Sequence, residues 1–190
     1  TPMSIEITRE GAVYVLTMNA GENRFNRGFL DAMNRALDEV ERDSGPAAVV
    51  TVGGTEKFYS NGLDLAWLGS DAGRGEGARF VEDVIRLFAR FLALPIPTVA
   101  ALNGHAFAAG GMLALAHDFR VMRADRGFFC LPEVDINVPL APGMTALIQA
   151  KLAARVVVET VLTGARLGGP QCVERGIVDA AVAGPEVVSH

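Results

Sequence analysis

Two stretches of the 190-residue chain combine glycine, small side chains and the start of a helix. The first is Phe58-Tyr59-Ser60-Asn61-Gly62-Leu63-Asp64-Leu65. The second is Asn103-Gly104-His105-Ala106-Phe107-Ala108-Ala109-Gly110-Gly111. The first turn of a helix carries backbone N–H groups that have no intrahelical acceptor, and small side chains let a ligand approach that backbone closely. Two such N-termini that converge make a two-donor oxyanion hole; the same pattern also serves simple tight packing. Asp64 is placed to cap the helix after the first stretch. A third stretch, Leu131-Pro132-Glu133-Val134-Asp135-Ile136, brings carboxylates to a strand end. On residue type alone Glu133 is a general base or a surface carboxylate, and Asp135 a substitute base or a structural hydrogen-bonding group. His105 and His117 read as structural, and Asp118 as a tie at a helix-to-strand junction. Cys130, inside Phe128-Phe129-Cys130-Leu131, reads as a buried inert thiol.

The elements around these stretches follow from hydrophobic spacing. Ile5–Thr8 and Ala12–Met18 read as short strands turning at Glu10-Gly11. Phe29, Leu30, Met33, Leu37 and Val40 recur at helical spacing from Arg27, and Ser44-Gly45-Pro46 ends that helix. Ala47–Val52 is a continuous β-branched run, as in strands buried on both faces. Gly53–Asn61 reads as a loop, Leu63–Leu68 as the start of a helix, and Asp71–Gly77 as a mobile surface segment. Arg79–Leu94 is an amphipathic helix with a Phe80, Phe88, Phe91 stripe, stopped by Pro95-Ile96-Pro97. Then come a strand at Thr98–Leu102, a helix at about Ala108–His117, and strands at Phe119–Ala124 and Phe128–Leu131. Helices follow over Met144–Leu152 and on through Leu162, then a helical turn at Gln171–Glu174 and a strand at Val178–Val182. The order β–β–α recurs, and no linker divides the chain. The expectation is one α/β domain over residues 3–190, with Thr1-Pro2 an appended remnant and Met3 the natural start.

Seventeen basic against twenty-two acidic side chains give a net charge of −5. That balance argues against a general nucleic-acid or anionic-membrane surface. No apolar run reaches the roughly 20 residues of a membrane span; Val99–Ala116 is broken by Asn103, Gly104, His105 and Gly110-Gly111. No basic stretch leads into an apolar one at the N-terminus, so no signal peptide is read. Cys130 and Cys172 are too few and too far apart for a disulfide framework or a zinc site. The expected compartment is a bacterial cytoplasm, in keeping with an arginine bias that leaves only Lys57 and Lys151 as lysines.

The three stretches, in their order and spacing, resemble the crotonase superfamily of enoyl-CoA hydratases and isomerases. The resemblance runs from Met3 to about Val182 and includes Glu22-Asn23-Arg24-Phe25-Asn26, similar to a loop near the adenine site. It implies a crotonase-like spiral of repeated ββα units. It also implies an acyl-CoA thioester as substrate, with coenzyme A part of that substrate and no separate cofactor or metal. The N–H groups of Leu63 and Ala109 are the implied oxyanion donors. Substrate and CoA are implied to lie against Arg24, Phe25, Ser60, Asn61, Gly62, Trp67, Gly110, Met112 and Leu131.

Family hydratases use two carboxylates, one on the helix after the second stretch and one in the Pro-Glu segment. Here the first position is Met112, which cannot transfer a proton; the second is Glu133. One carboxylate beside an oxyanion hole resembles the Δ3,Δ2-enoyl-CoA isomerases, in which a single base moves a proton from C2 to C4. Lys57–Trp67 and Met122–Phe128 also resemble the peroxisomal and plant isomerases. The alternatives are a hydratase or another crotonase-type acyl-CoA enzyme, or a non-catalytic acyl-CoA-binding homologue. Asn137 stands where the family has glycine, and asparagine tolerates a left-handed backbone. The resemblance further implies a trimer or dimer of trimers, and a helical C-terminal region, begun at residues 143–190, that is short or missing.

Overall fold

The structure, a computed structural model, describes residues 4–45 and 47–190. Met3 as a start, Thr1-Pro2 as a remnant and Pro46 as a helix stop lie outside the described residues. Strands β1 (Ile5–Glu10) and β2 (Val13–Met18) form an antiparallel hairpin. Its turn is Gly11-Ala12 rather than Glu10-Gly11, because Glu10 pairs with Val13 and Gly11 takes the φ of +60° that glycine adopts without a Cβ penalty. Helix α1 (Arg27–Glu41) starts at Asn26, whose side chain accepts from Phe29 N–H, and it buries Phe29, Leu30, Met33, Leu37 and Val40.

Three ββα units follow. The first is β3 (Ala48–Gly53), β4 (Phe58–Ser60), the short α2 (Leu65–Gly69) and α3 (Gly77–Ala93). The second is β5 (Thr98–Leu102), β6 (His105–Phe107) and α4 (Ala109–Leu115). The third is β7 (Phe119–Arg123), β8 (Phe129–Cys130), a 3-10 turn at Pro132–Val134 and α5 (Pro142–Lys151). Helices α6 (Ala154–Thr163) and α7 (Gly169–Glu174) and strand β9 (Ala180–Val182) complete the chain. The first strand of each unit joins a six-stranded sheet ordered β1-β2-β3-β5-β7-β9, and the second joins a three-stranded sheet ordered β4-β6-β8. All pairs except β1–β2 are parallel. The chain therefore advances one strand in both sheets per unit, which is a spiral of ββα turns.

Two expectations are corrected here. Gly53–Asn61 is not all loop, since β4 lies inside it, and the second stretch passes through β6 before its helix begins. Each of these strands has three residues, too few for an alternation of buried and exposed side chains to register. Both are held by turn contacts. Asn103 accepts from Gly53 N–H and donates to the carbonyls of Gly53 and Thr55, which locks the β5–β6 turn onto the β3–β4 turn. Asp118 accepts from Thr98 N–H and its hydroxyl, the expected tie at the helix-to-strand junction.

Behind β4 runs a buried polar chain. His117 Nδ1 lies 2.8 Å from the Leu113 carbonyl and Nε2 lies 3.0 Å from Thr51 Oγ1, which is 2.8 Å from the Tyr59 hydroxyl. In a neutral ring Nδ1–H donates to Leu113, which leaves Nε2 to accept from Thr51 and Thr51 to accept from Tyr59. Burial lowers the His117 pKa from 6.5 to about 4. The unfolded chain therefore binds the extra proton first, and stability falls as pH drops from the unfolded value towards the folded one. Urea unfolding of the wild type should lose about 2 kcal/mol more than His117→Gln between about pH 7 and pH 4.5. Equal losses would mean that the ring is not held neutral.

Candidate active site

The first and second stretches meet at Gly62. Its φ is +79°, and a methyl group on its Cα would lie 2.9 Å from Ala108 Cβ and from the Phe107 carbonyl oxygen, and 3.1 Å from Ala109 N. One turn on, a methyl group on Gly110 would lie 2.3 Å from the Ser60 carbonyl oxygen. Backbone thus packs on backbone, and the small residues at the two helix starts are what allow it. The loop before α2 is clamped on both sides of Leu63: Phe25 N–H donates to Gly62 O at 2.8 Å, and Asp64 N–H donates to Phe25 O at 2.9 Å. Between them Leu63 N–H has no acceptor among the described residues, and neither has Ala109 N–H at the start of α4. Asp64 caps α2 as expected, accepting from Trp67 N–H at 3.0 Å.

Ala108, immediately before α4, has φ +50° and ψ −126°. That conformation is unfavourable for a residue with a Cβ, and it persists only where its surroundings hold it. Here Ala108 N–H donates to Cys130 O and its carbonyl accepts from Met112 N–H, so β8 on one side and α4 on the other fix the peptide. Leu63, Ala108 and Ala109 line a cavity of about 220 Å³ together with Glu133.

Glu133 sits on the 3-10 turn after β8 and is 8 % exposed. One of its carboxylate oxygens, Oε2, is buried without a hydrogen-bond partner. Burial pushes its pKa above the ordinary carboxylate value, and a hydrogen bond from its own backbone N–H opposes that only partly. The turn survives the replacement of glycine by Asn137, which adopts φ +52° while Val138 N–H donates back to Glu133 O. Met112 lines the cavity at the position where the resemblance places a hydratase's first carboxylate, and Ile136, Val138 and Met144 supply further apolar wall.

Of the expected contact residues, Arg24, Asn61 and Met112 line the cavity. Arg24 and Asn61 both donate to Glu22, at 2.6 and 2.9 Å, and these two bonds hold the Glu22 carboxyl below its usual pKa. The others are absent from the cavity lining. Phe25 is buried in a stack with Phe29, Ser60 Oγ donates to Asn23 O, Trp67 packs on Phe80, and Leu131 is core. Gly62 and Gly110 form the close backbone crossing just described. Asp135 is exposed with its carboxylate against Gly164, outside the cavity. His105 lies among Phe58, Phe107 and Phe128 on the small sheet, away from the cavity lining. Burial raises the Cys130 thiol to about 11, so it stays protonated and inert.

Sequence reasoning missed Ile136, Val138 and Met144 as walls, and it missed Asn23. Asn23 is fully buried at φ +51°; it accepts from Ala20 N–H and donates to Tyr59 O, tying the N-terminal loop to β4. Its signals are an asparagine two residues after Gly21 in a turn and its place in the Glu22–Asn26 loop. Among the described residues no His, Cys, Asp or Glu group is arranged to hold a metal. No helix among the described residues is long and apolar enough to cross a membrane.

The sequence matches the enoyl-CoA hydratase/isomerase family over residues 8–190. Two Arabidopsis thaliana proteins, enoyl-CoA delta isomerase 3 and peroxisomal enoyl-CoA delta isomerase 2, are 39 % identical over 180 and 184 residues. Each alignment takes in 92 % of this chain and 75 % of the relative. A carnitinyl-CoA dehydratase of Salmonella paratyphi A is 30 % identical over 97 % of this chain and 70 % of its own length. An enoyl-CoA hydratase/isomerase family protein from Pseudomonas syringae superposes with a TM-score of 0.90 at 26 % identity, over 98 % of this chain and 79 % of that one. The spiral of ββα turns is thus the crotonase fold, and the chain belongs to the enoyl-CoA hydratase/isomerase family.

Proposed function

We propose that the protein is an enoyl-CoA isomerase that moves the double bond of a 3-enoyl-CoA to the 2-position. One observation carries this reading: a single buried, unpartnered carboxylate shares a small apolar cavity with two free backbone N–H groups, and a methionine fills the place of a second acid. In this reading the thioester carbonyl oxygen accepts from Leu63 N–H and Ala109 N–H. Negative charge that develops on that oxygen is stabilised by donors already in place, which acidifies the C2 protons. The Glu133 carboxylate takes one of them, and the electron pair of the C2–H bond delocalises into a dienolate. The Glu133 carboxylic acid then returns the proton to C4, which leaves a C2=C3 double bond and the carboxylate as it began.

The surroundings suit that cycle. Burial makes Glu133 a stronger base than an exposed glutamate, and its protonated form is correspondingly easy to hold while the dienolate exists. Met112, Ile136, Val138 and Met144 keep the cavity poor in groups that could position a water. Hydration needs such a water and a second carboxyl group to activate it. Arg24, at the mouth and half-exposed, is available to exchange Glu22 for a phosphate of the coenzyme A moiety.

Incubation with 3-hexenoyl-CoA and, separately, with 2-hexenoyl-CoA tests the reading, with chromatographic separation of 2-enoyl and 3-hydroxyacyl products. The expected result is 2-hexenoyl-CoA from the 3-enoyl ester and no hydroxyacyl product. Efficient hydration of the 2-enoyl ester would contradict it and favour a hydratase. Binding of both esters without conversion would favour a non-catalytic acyl-CoA-binding protein.

A further inference from the structure

Leu63 N–H can serve as a donor only if its peptide is held in one orientation. In a trans peptide the N–H points away from the C=O, so the Phe25 N–H that donates to Gly62 O at 2.8 Å also sets the direction of Leu63 N–H. The next peptide is held the same way, since Asp64 N–H donates to Phe25 O at 2.9 Å. Phe25 and Leu63 form an isolated parallel bridge, outside both sheets. At one end of that bridge the Asn61 N–H and side chain both donate to Glu22, at 2.9 Å. At the other end the link is between two side chains: Asn26 Nδ2 donates to Asp64 Oδ2 at 3.3 Å. Both residues are also helix caps. Asn26 Oδ1 accepts from Phe29 N–H at the start of α1, and Asp64 Oδ1 accepts from Trp67 N–H at the start of α2, each at 3.0 Å. With its oxygen turned to α1, the Asn26 amide presents its NH₂ to the second carboxylate oxygen of Asp64. Helices α1 and α2 thus start from one joined pair of caps, and Leu63 is the residue immediately before the second.

We propose that Asn26 is a positioning residue for the reaction: by joining the two caps it holds Phe25 against Leu63 and keeps Leu63 N–H where the thioester oxygen can accept from it. The proposal rests on reading that N–H as an oxyanion donor. Neither Asn26 nor Asp64 lines the cavity, so both act through Leu63. A donor held by a jointed clamp needs no reorganisation when charge develops on the oxygen, which is where such donors gain their effect.

A donor–acceptor swap separates the link from the caps. Asp and Asn cap helices about equally well, so Asn26→Asp and Asp64→Asn each keep both caps and break only the link. The first sets two carboxylates face to face, and the second two amide NH₂ groups. The double variant, Asn26→Asp with Asp64→Asn, restores one donor and one acceptor. On 3-hexenoyl-CoA each single variant should lose about tenfold in kcat, while the Kd of hexanoyl-CoA stays within about threefold. The double variant should regain most of the lost kcat. Hydrogen exchange followed by NMR should show the Phe25 and Asp64 amides exchanging faster in each single variant and slowed again in the double one. Capping alone predicts no such rescue. Single variants with wild-type kcat, or a double variant that loses the product of the two single losses, would overturn the role and leave the isomerase reading standing. A wild type inactive on 3-hexenoyl-CoA would overturn the role together with that reading.

Discussion

Glu133→Gln should lower kcat for the isomerisation by about 10²–10⁴-fold and at the same time make the folded protein more stable at neutral pH. The two effects share one cause. The carboxylate is buried, and Oε2 has no partner to replace the water it loses on folding. That burial raises its folded pKa above the unfolded value. Between the two values the folded state holds the proton longer, so stability is full below the unfolded pKa and declines as pH rises through the folded one. Glutamine has no such decline. Urea unfolding should therefore show Glu133→Gln gaining on the wild type as pH rises from the acid side to neutrality, and the two converging below the ordinary carboxylate range. In the wild type kcat/KM should rise along an acid limb centred above the ordinary glutamate pKa and then level off, because the base must be ionised. An acid limb at the ordinary value, or a variant less stable than the wild type at neutral pH, would mean that Glu133 is a paired structural carboxylate.

Gly62→Ala should be the most damaging single methyl group in the site. At φ +79° an alanine is strained by about 1–2 kcal/mol. Its methyl group would also press on Ala108 Cβ, the Phe107 carbonyl and Ala109 N at 2.9–3.1 Å. Two of those neighbours are backbone atoms, fixed by Cys130 and Met112 hydrogen bonds through Ala108, so the loop and α4 must separate. In the proposed site that separation should move the Leu63 and Ala109 donors out of register with one oxygen. Loss of one such donor costs about 10²–10³ in rate, felt mainly in kcat because the negative charge on the oxygen develops only after the substrate is bound. Gly11→Ala is the matching control: its φ is +60°, nothing lies within 4 Å of the added methyl group, and it sits in the β1–β2 turn. It should lose a similar increment of stability and retain full kcat. An equal loss of kcat in both variants would show that the effect of Gly62→Ala is only destabilisation.

The sequence disclosed the supports of the site better than its walls. Asp64, Asp118 and Asn137 could be placed because each does a local job, capping, tying or turning, that depends on neighbours within a few residues or on a known turn. The strands β4 and β6 escaped because three residues carry no period, and their pairing partners lie about fifty residues away in sequence. Membership of a motif also did not say which way a side chain points. Ser60, Phe25, Leu131 and Gly110 belong to the stretches that make the site, yet they are buried against other parts of the fold and absent from the cavity lining. Ile136 ends the third stretch without a role read for it, and Val138 and Met144 line the cavity from beyond that stretch, on the segment that leads from Glu133 into α5. Even Ala108, whose strained backbone leads into α4, looks in the sequence like one more small residue.

In the proposed cycle one base carries the same proton from C2 to C4 in a pocket that excludes water. That transfer is tested most directly by turning over 3-hexenoyl-CoA deuterated at C2 in ordinary water and locating deuterium in the 2-enoyl product. Transfer through Glu133, which is only 8 % exposed, predicts a measurable fraction of the label at C4, largest in the first turnovers. Product with no deuterium at C4, even in a single turnover, would mean that solvent supplies the proton, and would contradict the one-base account.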